Sequence, residues 1–236
     1  MLPLPLRDAL LDALRDALLD AWALVMPVDC AGCGSPDRAL CAACLTALVP
    51  AVECHHLADG TAVVAGLRYE GVVRRVILAG KEHQRTDVAA PLARALEQAV
   101  ATAAREMHTL GPHGIQRLEL VAVPSSRAAW RRRGYDPVAL VLRAAGFRAV
   151  RGLRVERSTA AQKSLGIDER RANRAGFLAA RRSFAGSAVL LVDDVLTTGA
   201  TLEEAVRAIR DAGGTVVACA VVAFTPRRFE AHGGLA

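Results

Sequence analysis

The ten residues TVVACAVVAF, Thr215–Phe224, constrain this chain more than any other segment. After the first threonine every position is apolar, and Gly213-Gly214 and Pro226 bound the run. A run without alternation reads as a strand buried on both faces, as in parallel sheets whose connections are helices. Just upstream, Thr201–Ala212 has a helical period, with Leu202, Ala205, Val206 and Ile209 on one face and Gly213 as the stop. Before it, Ala188–Val192 reads as a second buried strand. Strand, helix and strand in this order imply an α/β fold with a mostly parallel central sheet flanked by helices.

The middle of the chain continues the pattern. LRYEG reads as a short strand and turn, Val72–Ala79 and Val88–Arg105 as helices, and Leu118–Pro124 as a buried strand ending at proline. Asp136-Pro137 marks a helix start, with Asp as cap and Pro in the first turn, and Gly146 marks its end. Residues 147–175 read as polar, basic and irregular, with a short helix from Asp168. At the front, residues 1–26 read as an amphipathic helix with Leu10, Leu11, Leu14, Leu18 and Trp22 along one side. Asp8, Asp12, Arg15, Asp16 and Asp20 interrupt that stretch, and nothing in the chain approaches the ~20 apolar residues of a membrane span. A cytoplasmic location is the expectation.

Charge is unevenly distributed. Residues 1–66 carry 3 basic and 8 acidic groups, whereas residues 127–182 carry 15 basic and 4 acidic groups. That contrast suggests a polyanionic ligand near the second region, although an arginine-rich composition alone would give the same excess. Lys81 and Lys163 are the two lysines in the chain. Lys81 reads either as a compact ammonium that something requires or as a surface lysine.

Four cysteines form Cys30-x2-Cys33-x7-Cys41-x2-Cys44. Each C-x2-C knuckle places two thiolates on one ion, and two knuckles complete a tetrahedral site that suits structural Zn2+. Disulfides are the competing reading. Cys54 reads as a bystander, His55 and His56 as exposed polar residues or alternative ligands, and Cys219 as a buried thiol. The chain thus divides into the leading helix, a four-cysteine zinc-binding module over 27–60, and an α/β domain over 61–236.

The candidate site follows the second strand, in VLLVDDVLTTGATLEEA, Val189–Ala205. Asp193 and Asp194 are expected where the strand stops, at the carboxyl edge where parallel sheets bind ligands. The helix beginning near Thr201 offers backbone N–H groups and a partial positive charge to an anion. Gly199 permits close backbone approach, and Thr197, Thr198 and Thr201 add hydroxyls. Amides and hydroxyls suit a phosphate, and the carboxylates suit a sugar diol. Trp130 and Tyr135 read as stacking partners for a base or as packing residues.

This stretch resembles the phosphoribosyl-pyrophosphate (PRPP) signature of type I phosphoribosyltransferases. The chain as a whole is similar to the ComF-type competence family. The resemblance runs through the leading helix, the four cysteines, RYEG, GKEHQRTDVAAPLARAL, VPSSRAAWRRRGYDP, AQKSLGIDERRANRAG and the PRPP loop. In that family an Asn usually follows the Arg-Gly-aromatic sequence; here Asp136 follows Tyr135. The resemblance implies a type I phosphoribosyltransferase fold, with PRPP held by Asp193, Asp194, Val195, Thr197, Thr198, Gly199, Ala200 and Thr201. Asp193 and Asp194 take the catalytic role of stabilising an oxocarbenium-like transition state. Ser125, Ser126 and Arg127, with Lys81, Gln162 and Arg170, are the implied diphosphate and loop residues. Mg2+ accompanies PRPP. The implied activities are phosphoribosyl transfer to an unidentified acceptor, or a non-catalytic PRPP-binding role in DNA uptake or single-stranded DNA processing. Single-stranded DNA, the competence machinery and oligomeric partners follow as implied contacts.

Overall fold

The computed structural model describes residues 28–109, 117–156 and 176–226. The expected helix over 1–26, the helix from Asp168, Gln162 and Arg170 lie outside these residues. In chain order the elements are α1 (Ala42–Thr46), β1 (Glu53–His56), β2 (Ala62–Arg68), α2 (Gly71–Glu82), a 3-10 turn (Thr86–Val88), α3 (Ala89–Thr109) and β3 (Arg117–Ala122). Then come α4 (Arg127–Arg133), α5 (Pro137–Ala144), β4 (Leu153–Val155), β5 (Leu178–Ala180), β6 (Ser187–Leu196), α6 (Ala200–Asp211) and β7 (Thr215–Phe224).

The five-stranded sheet has the order β1-β2-β7-β6-β3. The β2–β7, β7–β6 and β6–β3 pairs are parallel, and only β1 is antiparallel to its neighbour. A separate antiparallel pair joins β4 to β5. The expected mostly parallel sheet is therefore present. Its apolar strands alternate between two cores. Leu190 and Val192 of β6 and Ala218, Ala220 and Val222 of β7 face the core under α2, α3 and α5. Val189 and Leu191 of β6 and Cys219 and Val221 of β7 face the core under α6, with Leu202, Val206 and Ile209.

The polar edge strand β1 was not expected from ECHH. Its pattern is half-buried and exposed in alternation, which suits an edge strand with one wet face. His55 stacks on Phe224 of β7 with ring centroids 4.1 Å apart, and burial holds its pKa below the usual imidazole value. Neither His55 nor His56 joins the cysteine cluster. Cys219 is fully buried, and burial pushes its thiol pKa up.

The β4–β5 pair is tied to α6 through a buried carboxylate. Glu204 Oε1 accepts the backbone N–H groups of Gly176 at 2.7 Å and Leu178 at 3.1 Å. Arg207 closes the network, donating to Glu204 and, at 2.8 Å, to the Leu178 carbonyl. Burial works against the charge of Glu204, but Arg207 and the amides outweigh it and hold its pKa below the ordinary value.

One glycine sets how close a helix lies to the sheet. A Cβ at Gly66 in β2 would sit 2.3 Å from the carbonyl oxygen of Ala95 in α3. The obstacle is backbone, so it yields only if the helix moves. Gly66→Ala is expected to lower folding stability by about 1–3 kcal/mol in urea unfolding, the usual range for core overpacking. An unchanged midpoint and slope would show that α3 has slack above β2.

Candidate functional site

The cysteine loop comes first along the chain. The Sγ atoms of Cys30, Cys33, Cys41 and Cys44 all lie within 4.8 Å of one another, and Cys33 and Cys41 are 3.6 Å apart. Zn–S bonds of about 2.3 Å in a tetrahedron put sulfurs roughly 3.8 Å apart, so the donor set fits zinc. All six cysteines are free thiols, which sets the disulfide reading aside in this structure. Burial raises the Cys30 pKa, but N–H donation from Cys41, Cys33 and Gly32 overrides it and lowers the value to about 6. At Cys44, burial and the neighbouring sulfurs raise it to about 12. Cys44 thus resists ionisation beside its neighbours, and a bound dication would offset that cost. The loop is also part of the main core: Cys30, Leu40, Cys44 and Leu48 share one buried cluster with Val64, Val73 and Val76.

The acid pair sits differently from its expected position. The strand does not stop at Val192; β6 continues to Leu196, with Asp193 opposite Val221 and Val195 opposite Ala223 in β7. On its other side, β3 pairs only as far as Ala122 opposite Val192, and the chain then turns at Pro124. Residues 193–196 therefore overhang their β3 neighbour. Asp193 and Asp194 are held on a rigid strand and are both half-buried.

Lys81, in the last turn of α2, answers the charge. Its Nζ lies 2.8 Å from Asp194 Oδ2, and both side chains are 23% exposed. Lys81 is thus a paired, largely covered ammonium rather than a free surface lysine. Asp193 Oδ1 accepts the N–H of Asp194 at 2.8 Å. Burial, then the charge of Asp194, hold the Asp193 carboxyl well above the usual carboxylate range, against the opposing effects of that N–H and Lys81. The pair is thus asymmetric: Asp194 is ion-paired, while Asp193 retains its proton more readily.

The loop from Thr197 to Thr201 follows directly. Gly199 is buried with φ 82°, a left-handed conformation that glycine adopts without strain, and it is the N-cap of α6. A Cβ there would also lie 3.1 Å from Leu57. Glu203 N–H bonds to the Gly199 carbonyl at 2.9 Å, so helix geometry leaves the amides before it without intrahelical acceptors. Thr197, Thr198 and Thr201 are exposed around them. Asp193, Thr197, Gly199 and Thr201 line one small cleft.

The turn after β3 stands beside this corner. Ser126 Oγ caps α4 by accepting Ala129 N–H at 3.2 Å, which leaves its O–H as a donor. Asp136 caps α5 with Oδ1, accepting Val138 N–H at 3.0 Å, while Oδ2 accepts Ser125 N–H at 3.2 Å. A carboxylate can take both bonds; the single carbonyl oxygen of an asparagine amide would have to share them. Arg133 donates to the Lys81 carbonyl at 3.2 Å and to Ser125 Oγ at 3.4 Å, and Tyr135 donates to the Gly80 carbonyl at 2.6 Å. These two caps on the end of α2 carry no sequence signal beyond the resemblance. Next to Ser125 opens a groove of about 820 Å3, lined in part by Trp130, Arg131, Arg148, Arg151 and Arg181. Trp130 is 54% exposed and does not pack in the core.

The match to a family model includes this corner. Residues 136–232 match the family model described as the phosphoribosyl transferase domain. Over 54 residues the chain is 48% identical to an adenine phosphoribosyltransferase of Cereibacter sphaeroides strain KD131, and 46% identical over 54 residues to that of strain ATCC 17025. The match covers 21% of this chain and 30% of each relative, so the chain spans under a third of the curated proteins it matches. Among solved structures, an orotate phosphoribosyltransferase of Mycobacterium tuberculosis H37Rv in complex with Fe(III) dicitrate aligns over 80% of this chain and 89% of its own, with 21% identity and a TM-score of 0.31. That of Aeropyrum pernix aligns over 78% and 93%, with 17% identity and a TM-score of 0.30. The match to the phosphoribosyl transferase domain model runs from the cap of α5 through the acid pair and α6.

Proposed function

We propose that this chain binds PRPP at the overhanging end of β6 and is a ComF-like phosphoribosyltransferase. The observation that carries the reading is the cleft in which Asp193 stands beside Thr197, Gly199 and Thr201, with Asp194 next along the strand and paired to Lys81. The amides and hydroxyls of Thr197–Thr201 suit the 5-phosphate, and the carboxylates of Asp193 and Asp194 suit the ribose diol. The turn at Ser125, Ser126 and Arg127 lies on the adjacent strand end, where the diphosphate would extend. Magnesium suits the diphosphate and sugar oxygens, because it retains water and takes few protein ligands. In the reaction, a nucleophile's lone pair bonds to the anomeric carbon as the bond to pyrophosphate breaks and pyrophosphate leaves with its electron pair. Asp193 and Asp194 lie where positive charge would develop on the sugar.

A second reading, PRPP binding without turnover in a protein that handles single-stranded DNA, is favoured by the groove beside Ser125. Arg131, Arg148 and Arg151 supply phosphate contacts, and the exposed Trp130 supplies a stacking platform. Zinc in the four-cysteine cluster is structural in either reading.

Calorimetry with PRPP and Mg2+, then pyrophosphate release with candidate bases, separates the two. Asp194→Asn is expected to weaken PRPP about 10–100-fold, the loss of a charged acceptor; wild-type affinity in both Asp193→Asn and Asp194→Asn would contradict the reading. Asp193→Asn also has a stability signature. Because the folded chain holds a proton there that an unfolded Asp releases near pH 3.9, stability falls as pH rises toward the elevated folded value. Asn removes that penalty, so its Tm at pH 7 should equal or exceed wild type; a Tm several degrees lower would count against the charge assignment.

Removal of one equivalent of zinc by a chelator is expected to lower the Tm by about 5–10 °C, since the loop shares the main core; an unmoved transition would refute a structural metal. For the second reading, Arg131→Ala with Arg148→Ala should weaken single-stranded DNA binding and flatten its salt dependence by about one unit of slope per lost phosphate contact. An unchanged slope would take the groove out of that role.

A further inference from the structure

We infer that α2 is a strut through which the cysteine loop positions Lys81 against Asp194, so that the state of the four-cysteine cluster sets the grip of the acid pair on its ligand. The coupling concerns this chain's own residues; its consequence for PRPP rests on the function proposed above.

The N-terminal end of α2 is built into the loop. Gly32 lies between Cys30 and Cys33, and a Cβ there would meet Cys44 Sγ at 2.5 Å and Val72 Cγ1 at 3.0 Å. The knuckle thus rests directly on the first turn of α2. Arg75, one turn on, donates through Nε to the Gly32 carbonyl. Val73 and Val76 are buried in the same cluster as Cys30 and Cys44. Just beyond the helix, Arg85 donates to the Asp29 carbonyl at 2.8 Å and the Ala39 carbonyl at 3.3 Å, fixing both arms of the loop.

The C-terminal end of α2 is built into the acid corner. Lys81 holds Asp194, and Tyr135 and Arg133 hold the Gly80 and Lys81 carbonyls. Val72 and Lys81 are about 13 Å apart along the helix, and the loop also reaches the residues just after it through Arg85. A hydrogen-bonded helix resists bending, and shifts at Gly32 pass along it to Lys81. Lys81 is also the one lysine among the described residues. Its slender stem and compact ammonium make its contact with Asp194 depend on where the last turn of α2 is held.

The test uses the full chain with Lys163→Arg, which leaves Lys81 as the single lysine, labelled with 13C at Cε. Its NMR signal is compared in zinc-loaded protein, in protein stripped of zinc at a temperature where far-UV circular dichroism is unchanged, and in zinc-loaded Arg75→Ala. Asp194→Asn marks the position of the unpaired ammonium. The expected result is a shift toward that position on stripping and, with the metal still bound, in Arg75→Ala. PRPP affinity should fall about fivefold or more in Arg75→Ala, and adding Arg75→Ala to Lys81→Ala should cost nothing further. A Lys81 signal that moves in neither case overturns the strut, as does an equal affinity loss from Arg75→Ala with and without Lys81. Failure of the loaded wild type to bind PRPP overturns the ligand reading, and the lysine signal still decides the strut.

Discussion

Two carboxylates on consecutive residues of a half-buried strand end require compensation, and the site is organised around that requirement. Lys81 neutralises Asp194 at 2.8 Å, while burial and the charge of Asp194 hold the Asp193 carboxyl above the usual carboxylate range. The same problem recurs at the other end of α2, where four sulfurs converge within 4.8 Å. No lysine among the described residues meets that cluster, and the donor set fits a metal dication. One helix therefore stands between two centres of negative charge, one answered by Lys81 and the other a donor set that fits a metal dication.

The position of the acids follows from unequal strand lengths. β7 supports β6 as far as Leu196, while β3 leaves at Val192. An overhang of this kind combines precision with access. The backbone is fixed by a ladder on one side and open on the other. Gly199 then reverses the chain into α6 in a conformation that side chains resist, so the first amides of that helix close the corner. The turn after β3 is braced separately by Asp136, whose two oxygens hold the start of α5 and the N–H of Ser125.

Apolar content made β6, β7 and α6 legible in the sequence, and the Asp-Pro pair made the start of α5 legible. The true end of β6 was not, because aspartates do not look like strand residues; β7 holds their backbone in the ladder regardless. The short polar strand β1 was hidden for a related reason: an edge strand with one wet face shows little hydrophobic signal over four residues. At the site, the rarity of lysine pointed to Lys81, but its partner lies on a distant strand and no local period could reveal it. Tyr135 and Arg133 had the residue types of ligand contacts, yet their described bonds cap a helix. Ser126 also caps a helix, with its hydroxyl oxygen as the acceptor.

The central claim is that the overhang of β6 grips a sugar by its hydroxyls while the start of α6 grips its phosphate. A crystal structure of the zinc-loaded chain with PRPP and Mg2+ tests it most directly. The account predicts the 5-phosphate against the amides of Thr197–Thr201 and the ribose hydroxyls on Asp193 and Asp194. PRPP bound at another surface, with this corner vacant and its carboxylates untouched by ligand, would contradict it.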